Sequence, residues 1–598
     1  MPYDPINKIW TLTDRLAHLQ VEKKAAIEVQ KRKYQDWDDN QELYRNKVKT
    51  NRLTQRQAVN IPLMKETVKT LLSRIDNPSI LEWKELGGSL LKQLNYQEIW
   101  NEMGRRNKLE IIDVLDKKNV LLYGLSTKKL NIGKNGVDVS VLDIYDILLD
   151  PMMNAWDLET SRFIIHQNIF RPVRDILADP RYTEAGKNDL KIWADSAPGL
   201  TQGEVNREQF EHKMERLRAM GLSSDKFAYF AGGDRLVNLT EHYTKIWDEK
   251  HERFERRVIV YADDCIELLN EKLVDLIGVD FWPFVTWSED PETNDIYPDS
   301  IADLVRTPNK VLNIWFSQLI ENRTLKNFQM HWFLPMSNYS AQTYTPGPGV
   351  MLPAPPGDDI NKVIKPVEVS GLDDTLQAIN AVTQIVERGS GATAIEKGQP
   401  ESGTQTLGEV QILVGKANER AVGMAKFYRL AWEELAWKWD KMMQANPPKV
   451  FTLWKVGRSG KIYEKTLAPS DWKSDKGYVG IVRSTSEQET ESVKGIQKFQ
   501  LLLKEFPENP ALKRIAQKRM LEFADVTPDE LKQVEDAERQ VEEEKRRLAL
   551  AQTLPPQGVP QATPELIAPP TAPPAADTGS EMAIPLAEKL AELNQLTA

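Results

Sequence analysis

"VDVSVLDIYDILLDP", residues 137 to 151, decides how this chain is read. Val137, Val139 and Val141 alternate with polar residues, the period-two pattern of a strand with one buried face. Asn135-Gly136 just before it is a hairpin dipeptide, so an antiparallel partner is expected upstream. The run ends on Asp150-Pro151. Proline has no backbone donor and stops a ladder. Nothing in these residues is a catalytic set. They read as a building block, and the rest of the chain is read outward from them.

A second strand, "SRFIIHQNIF" (161 to 170), follows. "DRLVNLTEHYTKIWDEKHERFERRVIVYADD" (234 to 264) reads as strands joined by a charged turn. Helical patterns flank this β region. Residues 8 to 34, 60 to 75 and 96 to 124 carry apolar residues at helical spacing, and the last ends at Gly124. Residues 307 to 328 read as a helix that Thr307 caps, with Pro308 in the first turn. Val311, Leu312, Trp315, Leu319 and Ile320 form its apolar stripe. "YTPGPGVMLPAPPGDD" (344 to 359) is an extended loop by its prolines and glycines. Residues 372 to 391 and 406 to 444 are helical, separated by the breaker-rich segment 392 to 405. "KVFTLWKV" and "KGYVGIVR" are strand-like. Residues 491 to 506, 511 to 524 and 527 to 550 form three more helices, and beyond residue 551 a Pro-rich, mostly disordered tail is expected. The fold class is α+β, mainly helical.

Composition narrows the function. The chain has 598 residues, of which 41% are hydrophobic and 28% charged, enough for several packed domains. Its single cysteine, Cys265, excludes an intrachain disulfide and a Cys-based zinc site, which suits a reducing compartment. "MPYDPINKIW" lacks the pattern of a signal peptide, and no apolar run reaches membrane-spanning length, so no membrane partner is expected. A formal net charge of −10 argues against tight wrapping of DNA, whose phosphates call for cations.

Catalytic signatures are not found in the sequence. There is no HExxH. His242 and His251, with Glu241 and Glu252, imitate a metal set, but a charged exposed turn accounts for them. "NIGKNG" lacks the glycine and the Ser/Thr of a P-loop, and "GPG" at 347 is too short for a dinucleotide fingerprint. The paired acids of "ADDC" (262 to 265) and "PGDDI" (356 to 360) suit a solvated loop better than a metal-dependent nuclease. No enzyme activity, cofactor or metal is expected.

The order of elements over roughly residues 60 to 545 resembles the portal, or head-tail connector, proteins of tailed bacteriophages, those of short-tailed phages in particular. Four stretches carry the likeness. The opening strand ends in Asp-Pro and is followed by "SRFIIHQNIF". "LVNLTEHYTKIW" is similar to the Glu-x-Tyr strand that opens the family's clip. "DIYPDSIADLVRTPNKVLN" is like the stem helix, with a polar residue and then Asn313. "GTQTLGEVQILV" is similar to the Thr-x-x-Glu helix start after the tunnel loop, with Leu407-Gly408 between Thr406 and Glu409, which leaves Glu409 a capping role.

The resemblance implies a portal fold of wing, stem, clip and crown. It divides the chain into N-terminal helices and wing (1–235), clip (236–297), stem helix (298–330), extended loop and wing or channel helix (331–389), tunnel loop (390–405), wing helix and strands (406–490), crown helices (491–550) and the tail (551–598). It implies a homo-oligomeric ring, usually a dodecamer, at one capsid vertex of a virion assembled in the host cytoplasm. Double-stranded DNA would pass along its axis during packaging and ejection. The terminase large subunit, head-tail adaptor or tail proteins, and major capsid and scaffolding proteins would be its partners. Lys397 and Gln399 are then candidates to touch DNA in the tunnel loop. Val311, Leu312, Trp315, Leu319 and Ile320 become an inter-subunit stem face, and Glu249, Lys250 and Glu252 a clip contact for motor or adaptor. The rival readings are a non-viral helical scaffold and a metal-dependent nuclease.

Overall fold

A computed structural model describes residues 12–46, 59–75, 80–133, 136–154, 156–196, 236–248, 251–262, 266–327, 331–333, 364–366, 373–390, 407–456 and 462–483, with a few positions beyond. The chain divides into two compact units, Met1–Lys532 and Gln533–Ala598. In the second, residues 543–546 are helical. The expected crown helices and tail fall almost wholly outside the described residues.

The first unit mixes helix and sheet. Its helices are α1 (Leu12–Lys31), α2 (Tyr34–Tyr44), α3 (Leu63–Arg74), α4 (Leu90–Asn107), α5 (Leu109–Tyr123), α6 (Val173–Ala178), α7 (Glu184–Ser196), α8 (Leu273–Ile277), α9 (Ile301–Asn327), α10 (Asp373–Ser390), α11 (Leu407–Ala445) and α12 (Pro469–Trp472). The strands are β1 (Ile80–Glu85), β2 (Ser126–Gly133), β3 (Gly136–Val141), β4 (Ile147–Leu149), β5 (Phe163–Pro172), β6 (Leu236–Asp248), β7 (Arg253–Ala262), β8 (Ile266–Lys272), β9 (Phe284–Trp287), β10 (His331–Phe333), β11 (Ile364–Pro366), β12 (Phe451–Val456), β13 (Ile462–Leu467) and β14 (Tyr478–Arg483). All described pairings are antiparallel. The largest sheet runs β4-β5-β6-β7-β8, and a three-stranded sheet runs β3-β2-β9.

The opening stretch is two strands in two sheets, which corrects the reading of one continuous strand. β3 pairs with β2, setting Val139 opposite Leu130 and Val137 opposite Ile132, and Val137 and Val139 are buried as their alternation requires. The chain then makes a 3-10 turn at Ile144–Asp146, where the Asp143 carboxylate accepts the Tyr145 N–H at 3.3 Å. It re-emerges as β4, paired with β5. Asp150 explains the ending. Its Oδ1 accepts the Met152 N–H at 2.9 Å and its Oδ2 accepts the Arg162 N–H at 2.8 Å, so one buried carboxylate joins the end of β4 to the entry of β5. Charge-assisted acceptance of two backbone donors offsets its burial.

The core is dense in aromatics. Trp83, Tyr96, Trp100, Trp439, Trp472 and Tyr478 are buried together. The Tyr96 and Tyr478 rings stack with centroids 3.9 Å apart, and Trp100 meets Trp439 edge-on at 4.9 Å. Such contacts contribute roughly 0.5–1.5 kcal/mol each beyond area burial. Both polar ends are satisfied: the Tyr96 hydroxyl donates to Asp440 at 2.8 Å and the Trp439 indole donates to the Val137 carbonyl at 2.9 Å. This cluster joins α4, α11 and the β1–β14 pair, in which Trp83 lies opposite Gly480.

Three helix boundaries differ from expectation. The first segment is two helices, α1 and α2, and runs on to Tyr44. Residues 96 to 124 are also divided, because Lys108 takes a left-handed conformation (φ 54°) that caps α4 and starts α5. And α9 begins at Ile301, before Thr307, leaving Pro308 inside the helix.

Candidate functional site

Two features match the stretches that the sequence marks for function, the long helix α9 and the β6–β7 hairpin. At the start of α9, Ser300 and Asp303 form a reciprocal cap. The Ser300 N–H donates to Asp303 Oδ2 at 2.8 Å and the Asp303 N–H donates to Ser300 Oγ at 3.2 Å. The Ile301 N–H donates to Glu289 at 2.7 Å. This cap explains why the helix starts early: several of its first donors are satisfied before Thr307 is reached. Pro308 then removes the hydrogen bond to the Leu304 carbonyl. Gly124 at the end of α5 lets the chain pass close by. Its φ is +80°, and a Cβ there would lie 2.0 Å from the Pro298 carbonyl oxygen.

Helix α9 carries two faces. Asn309, Asn313 and Ser317, spaced by four, are buried. Asn313 Oδ1 accepts the Ile61 N–H at 2.8 Å and Ser317 Oγ accepts the Val59 N–H at 3.1 Å, so this polar row holds the segment leading into α3. Of the apolar stripe, Leu312 is buried in the chain's own core, and Trp315 packs partly buried against that core. Val311, Leu319 and Ile320 are half-buried.

The β6–β7 hairpin is anchored at its base by buried charge. Glu241 on β6 accepts from Lys129 on β2, linking the five-stranded sheet to the three-stranded one, with His166 Nδ1 3.6 Å away and the Tyr243 hydroxyl donating at 3.1 Å. Burial alone would raise the Glu241 pKa. The Lys129 ammonium and His166 overcome that and hold it well below the usual carboxylate range. Lys438 on α11 reinforces the junction, reaching Glu159 at 2.9 Å and the Phe284 carbonyl at 2.8 Å. Glu22 on α1 faces His242 at 2.9 Å. Burial pushes Glu22 upward, but hydrogen bonds from His18 and His242 bring it down to about 2.

At the other end of the hairpin, Trp247 and Phe254 are exposed and meet edge to face, centroids 5.0 Å apart. Glu252 is exposed and left-handed (φ 48°). Glu249 and Lys250 lie outside the described residues, as do Lys397, Gln399 and the acidic pairs near residues 263 and 358. The imagined grouping of His242 and His251 does not form: His242 is buried in mid-sheet between Glu22 and Tyr261, while His251 stands in the turn and contacts Asp248 at 2.6 Å. The charged exposed turn expected from the sequence holds His251 but not His242, which is buried. Asp248 and His251 stand three residues apart across the turn, a nearness the sequence carries, whereas Glu255 joins them only through the strand register.

The chain matches the family described as Phage SU10 portal protein over residues 12–476, more than half its length. It belongs to that portal family. No curated protein matches this portal-family chain. It is similar to a solved chain from "Virion of native gene transfer agent (GTA) particle", at 10% identity and TM-score 0.33, covering 67% of this chain and 81% of that one. A chain from "Neck of empty GTA particle computed with C6 symmetry" is similar at 10% identity and TM-score 0.34, covering 72% and 84%. Among the described residues, no helix of this portal-family chain is long and apolar enough to cross a membrane.

Proposed function

We propose that this chain is the repeating subunit of a portal ring, a dodecamer set at one vertex of a virus head. The family match over residues 12–476 carries the reading. In it the ring is a structural conduit for double-stranded DNA during packaging and ejection. It docks the terminase large subunit first and the head-tail adaptor or tail proteins later, and it sits among the capsid and scaffolding proteins. Assembly takes place in the host cytoplasm and the product is part of the virion.

The physical chemistry supports this assignment. A conduit must let DNA slide, so an overall charge of −10 is an asset: an acidic wall repels the duplex and keeps it centred. In this reading 236–297 is the clip, 298–330 the stem and 390–405 the tunnel loop, with wing, crown and tail as bounded above. Val311, Trp315, Leu319 and Ile320, which one chain leaves half-covered, complete their burial against a neighbouring subunit. Leu312 supports that face from within its own chain. Lys397 and Gln399 make weak, repeated contacts to phosphate. Glu249, Lys250 and Glu252 set the encounter with motor and adaptor.

Electron microscopy of the purified chain tests the proposal. Closed rings with a central hole are expected. A population that stays monomeric, or that assembles into open filaments, overturns it.

A further inference from the structure

The β6–β7 turn gathers three side chains of metal-ligand type. Asp248 ends β6, His251 stands in the turn and Glu255 lies in β7. One donor atom from each lies within 4.8 Å of the other two. The strand register produces this meeting. Asp248 pairs with Arg253, and Ile246 with Glu255. The period of two then puts Asp248 and Glu255 on one face as diagonal neighbours, and Trp247 and Phe254 on the other. The three side chains are graded from sheet to solvent, with 9% of the Glu255 side chain exposed, 21% of Asp248 and 48% of His251. The group is therefore rooted in the ladder and open at one side. Lys272 and Arg253 both approach Glu255 through Oε1, at 2.9 and 3.6 Å.

We propose that Asp248, His251 and Glu255 bind a divalent first-row transition ion, with Zn²⁺ the best match. One imidazole and two carboxylates suit such an ion. Mg²⁺ and Ca²⁺ prefer oxygen donors throughout. Three protein donors leave a coordination position for water or for a side chain of a docking partner. Loading draws the donors in to about 2.0–2.2 Å from the ion. It replaces the hydrogen bond between His251 Nδ1 and Asp248 Oδ2 by two bonds to metal, and any proton on the imidazole nitrogen that binds is released to solvent. The ion would tie β6, the turn and β7 together at the end of the hairpin. The inference rests on the hairpin's own geometry and not on the portal reading, so the two stand or fall separately.

The test is calorimetric titration of Zn²⁺ into the full-length chain, stripped of metal beforehand, with Co²⁺ absorption as a spectroscopic probe of the donor set. Wild type should show a saturable binding event. His251→Ala and Glu255→Gln should each weaken it by at least about tenfold, since loss of even an outer partner of a ligand costs that much. Glu184→Gln, at an exposed acid of α7, should leave it unchanged, and excess Mg²⁺ should not compete. Asp248→Asn serves as an independent variant if either of the others shifts the thermal melt of the metal-free chain. No saturable binding, affinity unaltered by loss of His251, or displacement of Zn²⁺ by Mg²⁺ each overturns the assignment.

Discussion

Glu289 lies buried where the β9 segment meets the start of α9, and substituting glutamine for it should change how stability depends on pH. Its carboxyl accepts the Ile301 N–H at 2.7 Å. Burial pushes its pKa from the ordinary 4.5 up to about 8. The Ile301 hydrogen bond opposes the rise, and the nearby Asp290 and Asp303 charges add to it. The folded protein therefore holds this proton over a range where the unfolded chain has lost it. Below about pH 4.5 both states are protonated and Glu289 contributes no pH dependence. Between 4.5 and 8 only the unfolded state ionises, so stability falls as pH rises, by about 1.4 kcal/mol per pH unit. Above the folded pKa the loss levels off. At pH 7 the accumulated penalty is about 3 kcal/mol. Glu289→Gln keeps an acceptor for Ile301 and cannot ionise. It should raise stability by at most about 3 kcal/mol near pH 7 and by almost nothing near pH 4.5. Urea unfolding of wild type and variant across this range measures the difference. If the two show the same slope between about pH 5 and pH 7.5, the Glu289 carboxyl is not protonated in the folded protein and the reasoning fails.

Trp439→Ala should destabilise the first unit by about 3–5 kcal/mol in denaturant unfolding, because it opens a cavity between Trp83, Tyr96 and Trp100 and strips the Val137 carbonyl of its donor. Trp315→Glu should reduce the yield of closed rings in electron micrographs by more than it shifts the thermal melt; rings in normal yield would count against the stem interface. Lys397→Ala combined with Gln399→Ala should leave rings intact and alter DNA packaging or retention, read as the amount of DNA protected from nuclease. Reversing the charges at Glu249, Lys250 and Glu252 should lower packaging or tail joining while rings still form, and normal virion yield from that mutant would remove the docking role.

The local elements were legible because their signals are local. Alternating valines with an Asn-Gly before them specify the β2–β3 hairpin, and Leu236–Asp248 with Arg253–Ala262 read as strands flanking a charged turn. Where two local signals competed, the sequence misled. Thr307-Pro308 looks like a helix start, but Ser300 and Asp303 make a better cap and place the helix entry beside Gly124. Lys108 breaks a helix without the glycine that would announce it. The strand Ile80–Glu85 is short, and although Leu81 and Trp83 alternate with Glu82 and Lys84, its partner lies about 400 residues away, so no neighbouring strand announces it. The same limit applies to function. The Asp248, His251 and Glu255 group depends on strand register, which spacing alone does not reveal, whereas the portal resemblance rested on the order of elements over hundreds of residues.

The β1–β14 pairing has a consequence for how the protein is made. Ile80 meets Arg483, so β1 gains its partner only after about 400 further residues have been synthesised. At roughly 5–20 residues per second, that interval is about 20–80 s. Until Trp439 and then Tyr478 are made near its end, Trp83, Tyr96 and Trp100 lack these rings to pack against, and β1 is an open edge on the nascent chain. Polysomes carrying many such chains at once hold many of these edges near one another, and a holdase that covers apolar strands would find its client there, long before there is any ring to build.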